Sequence, residues 1–341
     1  MRAALIAIAL VAALVALACT RATSLPAQDW RDPSPHQVLS ITVDKSVRLE
    51  VLDWGGSGPP LALLGCYLTA HVYDDFAPKL TDRFHVYGIT RRGIGASDKP
   101  PSGYTAQRSA DDVLEVLDSL EARKSVLIGT SCAGQVLSTL GSQHSERLHA
   151  LVYLEAADDP TVGPADYDPP FPDPVSLPPK ATLSAGEDYR SFDAYRAAQR
   201  RNNGVVFPES ELRQQFVANA DGSMGPSRLS PAIRRAITVD SRVRPEYARI
   251  RVPVLAIYRT DPPFEEWASA YAPRNEQERS ALRQEYAATR AMYARWQRDL
   301  LEGVPTARIV EIPGASVFMF LSNETDVLRE LRAFADTLTS R

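Results

Sequence analysis

The stretch VLIGTSCAGQ, Val126 to Gln135, puts a serine where a short apolar run breaks at glycine and small residues follow. A strand, a tight turn and a helix read this way when the turn has to hold a hydroxyl outward. Ser131 is therefore the candidate nucleophile; the plainer role is a serine capping the next helix. A serine hydroxyl attacks only when a base takes its proton, and histidine is the side chain poised for that near neutrality. The chain has five histidines: His36, His71, His85, His144 and His149. Two carboxylates end apolar runs and could orient a base, Glu155 in YLEAA and Asp261 in YRTDPP. A carboxylate at a buried strand end needs a reason to be there, which favours Glu155. Asp261, before two prolines, also reads as a solvated turn residue.

These residues must be positioned by strands and helices, and the chain alternates the two from Val38 onward. VLSITVD and VRLEVLDW read as a hairpin pair. PLALLG, FHVYGIT, SVLIG, ALVYLE, PVLAIY and ARIVEI are short apolar runs of the kind that form buried parallel strands. Between them, Val113, Val116, Leu117 and Leu120 recur at one-face helical spacing. Leu282, Tyr286, Tyr293, Trp296 and Leu300 do the same, as do Val327, Leu328 and Leu331. The expectation is an α/β fold, a mostly parallel sheet with helices on both faces. Residues 158–243 break the rhythm with a proline-rich start and polar helical segments, and are expected to form an inserted cap or lid of short helices. The core is then 38–157 with 244–341.

Strand order constrains the histidines. Active sites of open α/β sheets lie at the carboxyl edge. His85 and His149 precede their strands, and His144 ends a helix that returns to the amino edge. His36 precedes the first strand and is not placed by the pattern. His71 alone falls in a loop at the carboxyl edge.

Taken together, the run strand, GCYLTAHVYDDFAPKL, strand, RRGIGASDKP, helix, strand, GTSCAG, helix resembles an α/β-hydrolase from Val38 to the C-terminus. It is similar to bacterial esterase-like α/β-hydrolases whose nucleophile elbow reads G-x-S-x-A-G, with Ala133 where the commoner motif has glycine. The resemblance implies an oxyanion hole from the backbone N–H groups of Cys66 and Cys132. Their thiols are expected to be two small buried side chains, a disulfide between them being the sharper alternative. Glu155 resembles the acid of some haloalkane dehalogenases and related hydrolases; Asp261 stands where the family more often carries it. The family's histidine lies in a segment resembling PGANHYVFLS. Here the segment reads IPGASVFMFLS, and Val317 fills the histidine position. Valine accepts no proton. His71 is the candidate substitute base, although related hydrolases carry a histidine there beside the usual one, which gives it a structural alternative.

Two functions are compatible with this pattern. One is a serine hydrolase acting on a small carboxylic ester or related acyl substrate with an impaired or unconventional base. The other is a non-catalytic small-molecule-binding protein on the same scaffold, a pseudoenzyme. A dehalogenase or epoxide hydrolase is disfavoured, because the resemblance would need an aspartate at Ser131. No cofactor and no metal is expected: Cys19, Cys66 and Cys132 have no metal-ligand spacing.

The remaining composition is bland. The chain has 341 residues, 44% apolar and 23% charged, with a net charge of -4, and gives no reason to expect nucleic acid or an anionic membrane as partner. Nothing in it sets an oligomeric state. Residues 1–27 read as a secretory or lipoprotein signal: Arg2, then an uncharged run from Ala3 to Cys19. Cleavage is expected after Ala18 or Ala27, with Cys19 as a lipidation site in an imperfect lipobox. The expected location is periplasmic or secreted, with membrane contact only through this N-terminal signal or a lipid.

Overall fold

The computed structural model describes residues 30–179 and 190–339. Ala18, Cys19 and Ala27, where cleavage or lipidation is expected, lie outside the described residues. The hairpin expected at the start is present, β1 (Gln37–Val43) paired antiparallel with β2 (Val47–Gly55). It is followed by β3 (Pro60–Leu64), β4 (His85–Ile89), β5 (Ser125–Thr130) and β6 (Leu148–Leu154). A two-stranded ribbon, β7 (Phe216–Ala218) and β8 (Met224–Ser227), stands apart from the main sheet. β9 (Val254–Thr260) and β10 (Arg308–Pro313) complete it.

The main sheet has eight strands in the order β1-β2-β4-β3-β5-β6-β9-β10. β2 runs antiparallel to both neighbours, and every pairing from β4 to β10 is parallel. β3 lies between β4 and β5, so the connections leaving β3 and β5 diverge there. That divergence opens a crevice at the carboxyl ends of the two strands.

Alternation along the strands builds a core on each face. Val126 and Ile128 of β5, with Val152 and Leu154 of β6, pack against Val327, Leu331 and Phe334 of α9 (Glu324–Thr339). Leu127, Leu151 and Tyr153 face the opposite way. They meet Val113, Val116 and Leu117 of α1 (Ala106–Ser119), Leu137 and Leu140 of α2 (Ala133–Gln143), and Leu300 of α7 (Glu276–Gly303). Both faces being covered explains why the central strands are continuous apolar runs. α1 and α7 start at side-chain caps, Thr105 accepting from the Arg108 N–H and Asn275 from the Glu278 N–H.

The insertion after β6 carries three short helices, α3 (Phe192–Asn203), α4 (Glu209–Gln215) and α5 (Pro231–Asp240), with the β7–β8 ribbon between the last two. α6 (Phe264–Ala268) precedes α7, and α8 (Met319–Ser322) precedes α9. Among the described residues no helix is long and apolar enough to cross a membrane.

Candidate active site

Ser131 sits between β5 and α2 with φ +52°, in the left-handed region that a residue with a side chain occupies only at a cost. Its N–H reaches the Leu154 carbonyl at 3.4 Å, and its carbonyl accepts from the Gly134 N–H at 2.9 Å. Gly134 is required here, because a Cβ on it would lie 1.7 Å from the Ala156 carbonyl oxygen. The helix after the elbow can approach the end of β6 that closely only without a side chain. The Ser131 side chain is half-buried, and no described residue hydrogen-bonds its hydroxyl.

Cys66 and Cys132 are joined in a disulfide, with Cα atoms 5.0 Å apart. Two separate thiols were the plainer expectation; the switch in strand order brings the ends of β3 and β5 together, within bonding reach. Among the described residues neither the Cys66 N–H nor the Cys132 N–H meets an acceptor. Behind the pair, the buried Tyr73 hydroxyl donates to the Leu64 carbonyl at 3.0 Å and lies 3.3 Å from Thr130 Oγ1, bridging the same two strand ends. Arg91 is also buried, donating to Ser109 Oγ at 3.0 Å with its Nη1 3.9 Å from Cys132 Sγ. Burial pushes its guanidinium down to about 10.

The insertion after β6 packs beside this turn. Ile237 of α5 packs with Ile94 and Tyr104, flanked by Ile233, Tyr67 and Cys132. Tyr67 Oη meets Thr238 Oγ1 at 2.7 Å. α4 is pinned to the loop after β3, where fully buried Glu211 accepts from the Thr69 N–H at 3.1 Å and from the Thr69 hydroxyl.

The two candidate acids differ sharply. Glu155 follows β6 with φ +52° and is buried. One carboxylate oxygen accepts the Arg259 backbone N–H, and the other accepts the Tyr293 hydroxyl at 2.9 Å. Arg259 Nε in turn donates to the Tyr293 oxygen at 2.8 Å. Burial pushes Glu155 up to about 7, against the pull of the Arg259 N–H and charge and of the Tyr293 hydroxyl. Asp261, just beyond β9, is half-buried and accepts no hydrogen bond from a described residue. Val317 lies in the turn between β10 and α8 with its side chain half-buried. The turn is held by its own polar groups: the Ser316 N–H donates to Ser322 Oγ at 3.1 Å, and the Phe318 N–H to Ser316 Oγ at 3.0 Å.

No histidine is hydrogen-bonded to Ser131. His85 begins β4 and pairs with Asp53 at 2.8 Å, His149 lies near the start of β6, and His144 closes α2. His71 is in a buried 3₁₀ turn, Ala70–Tyr73, with Nδ1 3.2 Å from both Asp74 and Asp32 and Nε2 3.5 Å from Glu50. Burial alone would lower its pKa, yet the Asp74 and Glu50 carboxylates push it up to about 10. Both ring nitrogens are thereby turned to carboxylates, and neither is hydrogen-bonded to Ser131. His36, unplaced by the sequence pattern, packs edge-on against it with ring centroids 5.0 Å apart. The partners of Glu155 were also not evident from sequence, where Tyr293 counted only as one of a helix's apolar positions.

The fold has clear counterparts. The profile of the alpha/beta hydrolase family matches residues 54–331, and the chain belongs to that family. It is 26% identical over 211 residues to a 2-(acetamidomethylene)succinate hydrolase of Mesorhizobium japonicum, covering 59% of this chain and 70% of that protein. It is 28% identical over 227 residues to the AB hydrolase superfamily protein YisY of Bacillus subtilis, covering 64% of this chain and 79% of that one. Among solved structures, an E-2-(acetamidomethylene)succinate hydrolase superposes with a TM-score of 0.61 over 88% of this chain and 99% of its own, at 18% identity. These relatives support a hydrolase of esterase-like type.

Proposed function

We propose that this chain is a serine hydrolase acting on a small carboxylic ester or related acyl substrate, with Ser131 as nucleophile and no conventional base. The observation that carries the reading is the strained Ser131 at φ +52°, with its hydroxyl unengaged, beside the unpaired N–H groups of Cys66 and Cys132. Two such donors beside a serine suit the oxyanion of an acyl-transfer intermediate. Glu155 is the acid by position and Asp261 its alternative, but neither has an imidazole to orient. His71 serves the scaffold in this reading, since its ring is engaged by Asp32, Asp74 and Glu50 and makes no hydrogen bond to Ser131. Without a base, the oxyanion hole and binding leave roughly 10³–10⁴-fold acceleration over water, enough for an activated ester. The apolar roof of Ile233, Ile237 and Tyr104 suits an uncharged acyl group. The N-terminal signal adds export to the periplasm or beyond.

One observation favours a second reading. Glu155 is held by the Arg259 N–H and the Tyr293 hydroxyl with no imidazole hydrogen-bonded to it, as expected of a scaffold kept for binding and not for proton transfer. Reaction of the purified chain with a fluorophosphonate separates the two. Slow but stoichiometric labelling, mapped to Ser131 and lost in Ser131→Ala, is expected. A folded protein that remains unlabelled under forcing conditions hands the site to the binding reading.

A further inference from the structure

The fold gathers Asp32, His36, His71 and Asp74 from the segment before β1 and the loop after β3, and we propose that they form a site for one divalent transition-metal ion of the zinc class. One nitrogen of each imidazole and one oxygen of each carboxylate lie within 4.8 Å of one another. His71 Nδ1 is 3.2 Å from Asp32 Oδ2 and 3.2 Å from Asp74 Oδ2. His36 Nε2 is 3.8 Å from Asp32 Oδ2, and its Nδ1 is 2.8 Å from Asp74 Oδ1. A tetrahedral ion with bonds of about 2.0–2.1 Å to imidazole nitrogen and carboxylate oxygen needs ligand atoms about 3.3 Å apart. The contacts around His71 already have that edge. Two imidazoles with two carboxylates suit zinc and its neighbours better than magnesium or calcium, which take all-oxygen sets.

The surroundings are those of a metal ligand set. A ligating histidine usually turns its other nitrogen to a carboxylate. His71 Nε2 faces Glu50 Oε1 at 3.5 Å, and Glu50 Oε2 accepts from Thr90 Oγ1 at 2.8 Å. Asp74 Oδ2 accepts from Ser210 Oγ of α4 at 2.5 Å. The side chains of His36, His71, Asp74 and Glu50 are 3%, 4%, 1% and 5% exposed, so three carboxylates with Asp32 crowd a nearly dry space. Asp32, 24% exposed, gives an ion its entry. Binding displaces the proton between His71 and the two aspartates to solvent and leaves the ion in its place. The ion would clamp the segment before β1 onto the loop that carries Cys66 and Thr69, beneath α4. No ligand touches Ser131, so the role is structural and independent of the hydrolase reading.

The test uses the full chain stripped with EDTA and titrated with ZnCl₂ calorimetrically, with metal counted after gel filtration. One Zn²⁺ per chain and a raised unfolding midpoint are expected. His36→Gln and Asp32→Asn should each weaken binding at least about tenfold, and Glu50→Gln by about 10- to 100-fold. Asp32→Asn alters a partly exposed group, so it keeps the test standing where His36→Gln fails to fold. A folded wild type that takes up no Zn²⁺ overturns the assignment, as does unchanged affinity in Asp32→Asn.

Discussion

The two halves of the candidate active site have fared differently. At the elbow, everything that depends on backbone is in place: the strained Ser131, the close approach at Gly134 and two open N–H groups tied by a disulfide. At the other end, beyond β6, β9 and β10, the candidate site depends on side chains. Val317 stands where the resemblance to PGANHYVFLS would expect a histidine, and Glu155 is bound by Tyr293 and Arg259. A backbone oxyanion turn is part of the fold, since its glycines and strained residues are also what let α2 dock. A catalytic base is a single side chain, and the packing of the sheet and its helices does not depend on it. The comparison teaches that scaffold integrity and proton transfer are separable here.

The largest effect should come from rebuilding the weaker half. Val317→His places an imidazole in a turn already held by Ser316 and Ser322, and Tyr293→Phe frees one oxygen of Glu155 to receive it. The double variant should gain about 10²–10⁴-fold in kcat/KM on an activated ester, the usual worth of a general base. Val317→His alone should gain less, because Glu155 remains occupied. If the folded double variant gains nothing, more than the base has been lost, and the elbow is a relic of the fold.

Sequence made the elbow half readable because its constraints are local. GTSCAG encodes its own turn, and the apolar runs around it fixed the strand order that puts Ser131 at the carboxyl edge. The expectation of a missing base was just as local, since IPGASVFMFLS resembles the family's segment on both flanks and departs from it at Val317. What could not be read is non-local. The partners of Glu155 come from residues 104 and 138 positions away. Tyr293 shows the helical period of a core residue, and nothing in that period reveals a hydroxyl aimed at a carboxylate. His36 had no strand before it to fix its edge, so its meeting with His71 is likewise a product of tertiary structure. The Cys66–Cys132 bond lies between these cases: the strand order puts the thiols in neighbouring loops, and the folded chain sets their distance.

A second, smaller effect tests the elbow half. The disulfide closes a separation of 66 residues, for which chain entropy gives about 4 kcal/mol of stabilisation. Cys66→Ser with Cys132→Ser should lower the unfolding free energy by about that amount in urea titrations. Fluorophosphonate labelling of Ser131 should persist in the double variant if the N–H groups are held by the fold itself. Labelling lost in a protein that remains folded would make the disulfide part of the oxyanion hole, and the contrast between a backbone-built half and a side-chain-built half would fail.

The smallest expected effect concerns Glu155 and its stand-in partners. Its folded pKa, raised to about 7 from an ordinary 4.5, favours the native state while the carboxyl is protonated in both states. That contribution is fully present below about pH 4.5 and is lost as pH rises through about 7, a decline of roughly 3 kcal/mol for this one buried group. Glu155→Gln should flatten stability against pH over that window relative to wild type. The Tyr293 hydroxyl pulls the pKa down, so Tyr293→Phe should raise it further and move the decline to higher pH. The variant's own loss should be about 1.5–3 kcal/mol at pH 8–9, where the hydroxyl meets a carboxylate, and smaller near pH 4.5, where it meets a neutral acid. Urea unfolding of the three proteins at half-unit pH steps reads all of this. If Tyr293→Phe costs the same at both ends of the range, the tyrosine is holding a helix in place and not a charge. Glu155 would then be held as part of that packing, with no charge for the tyrosine to stabilise.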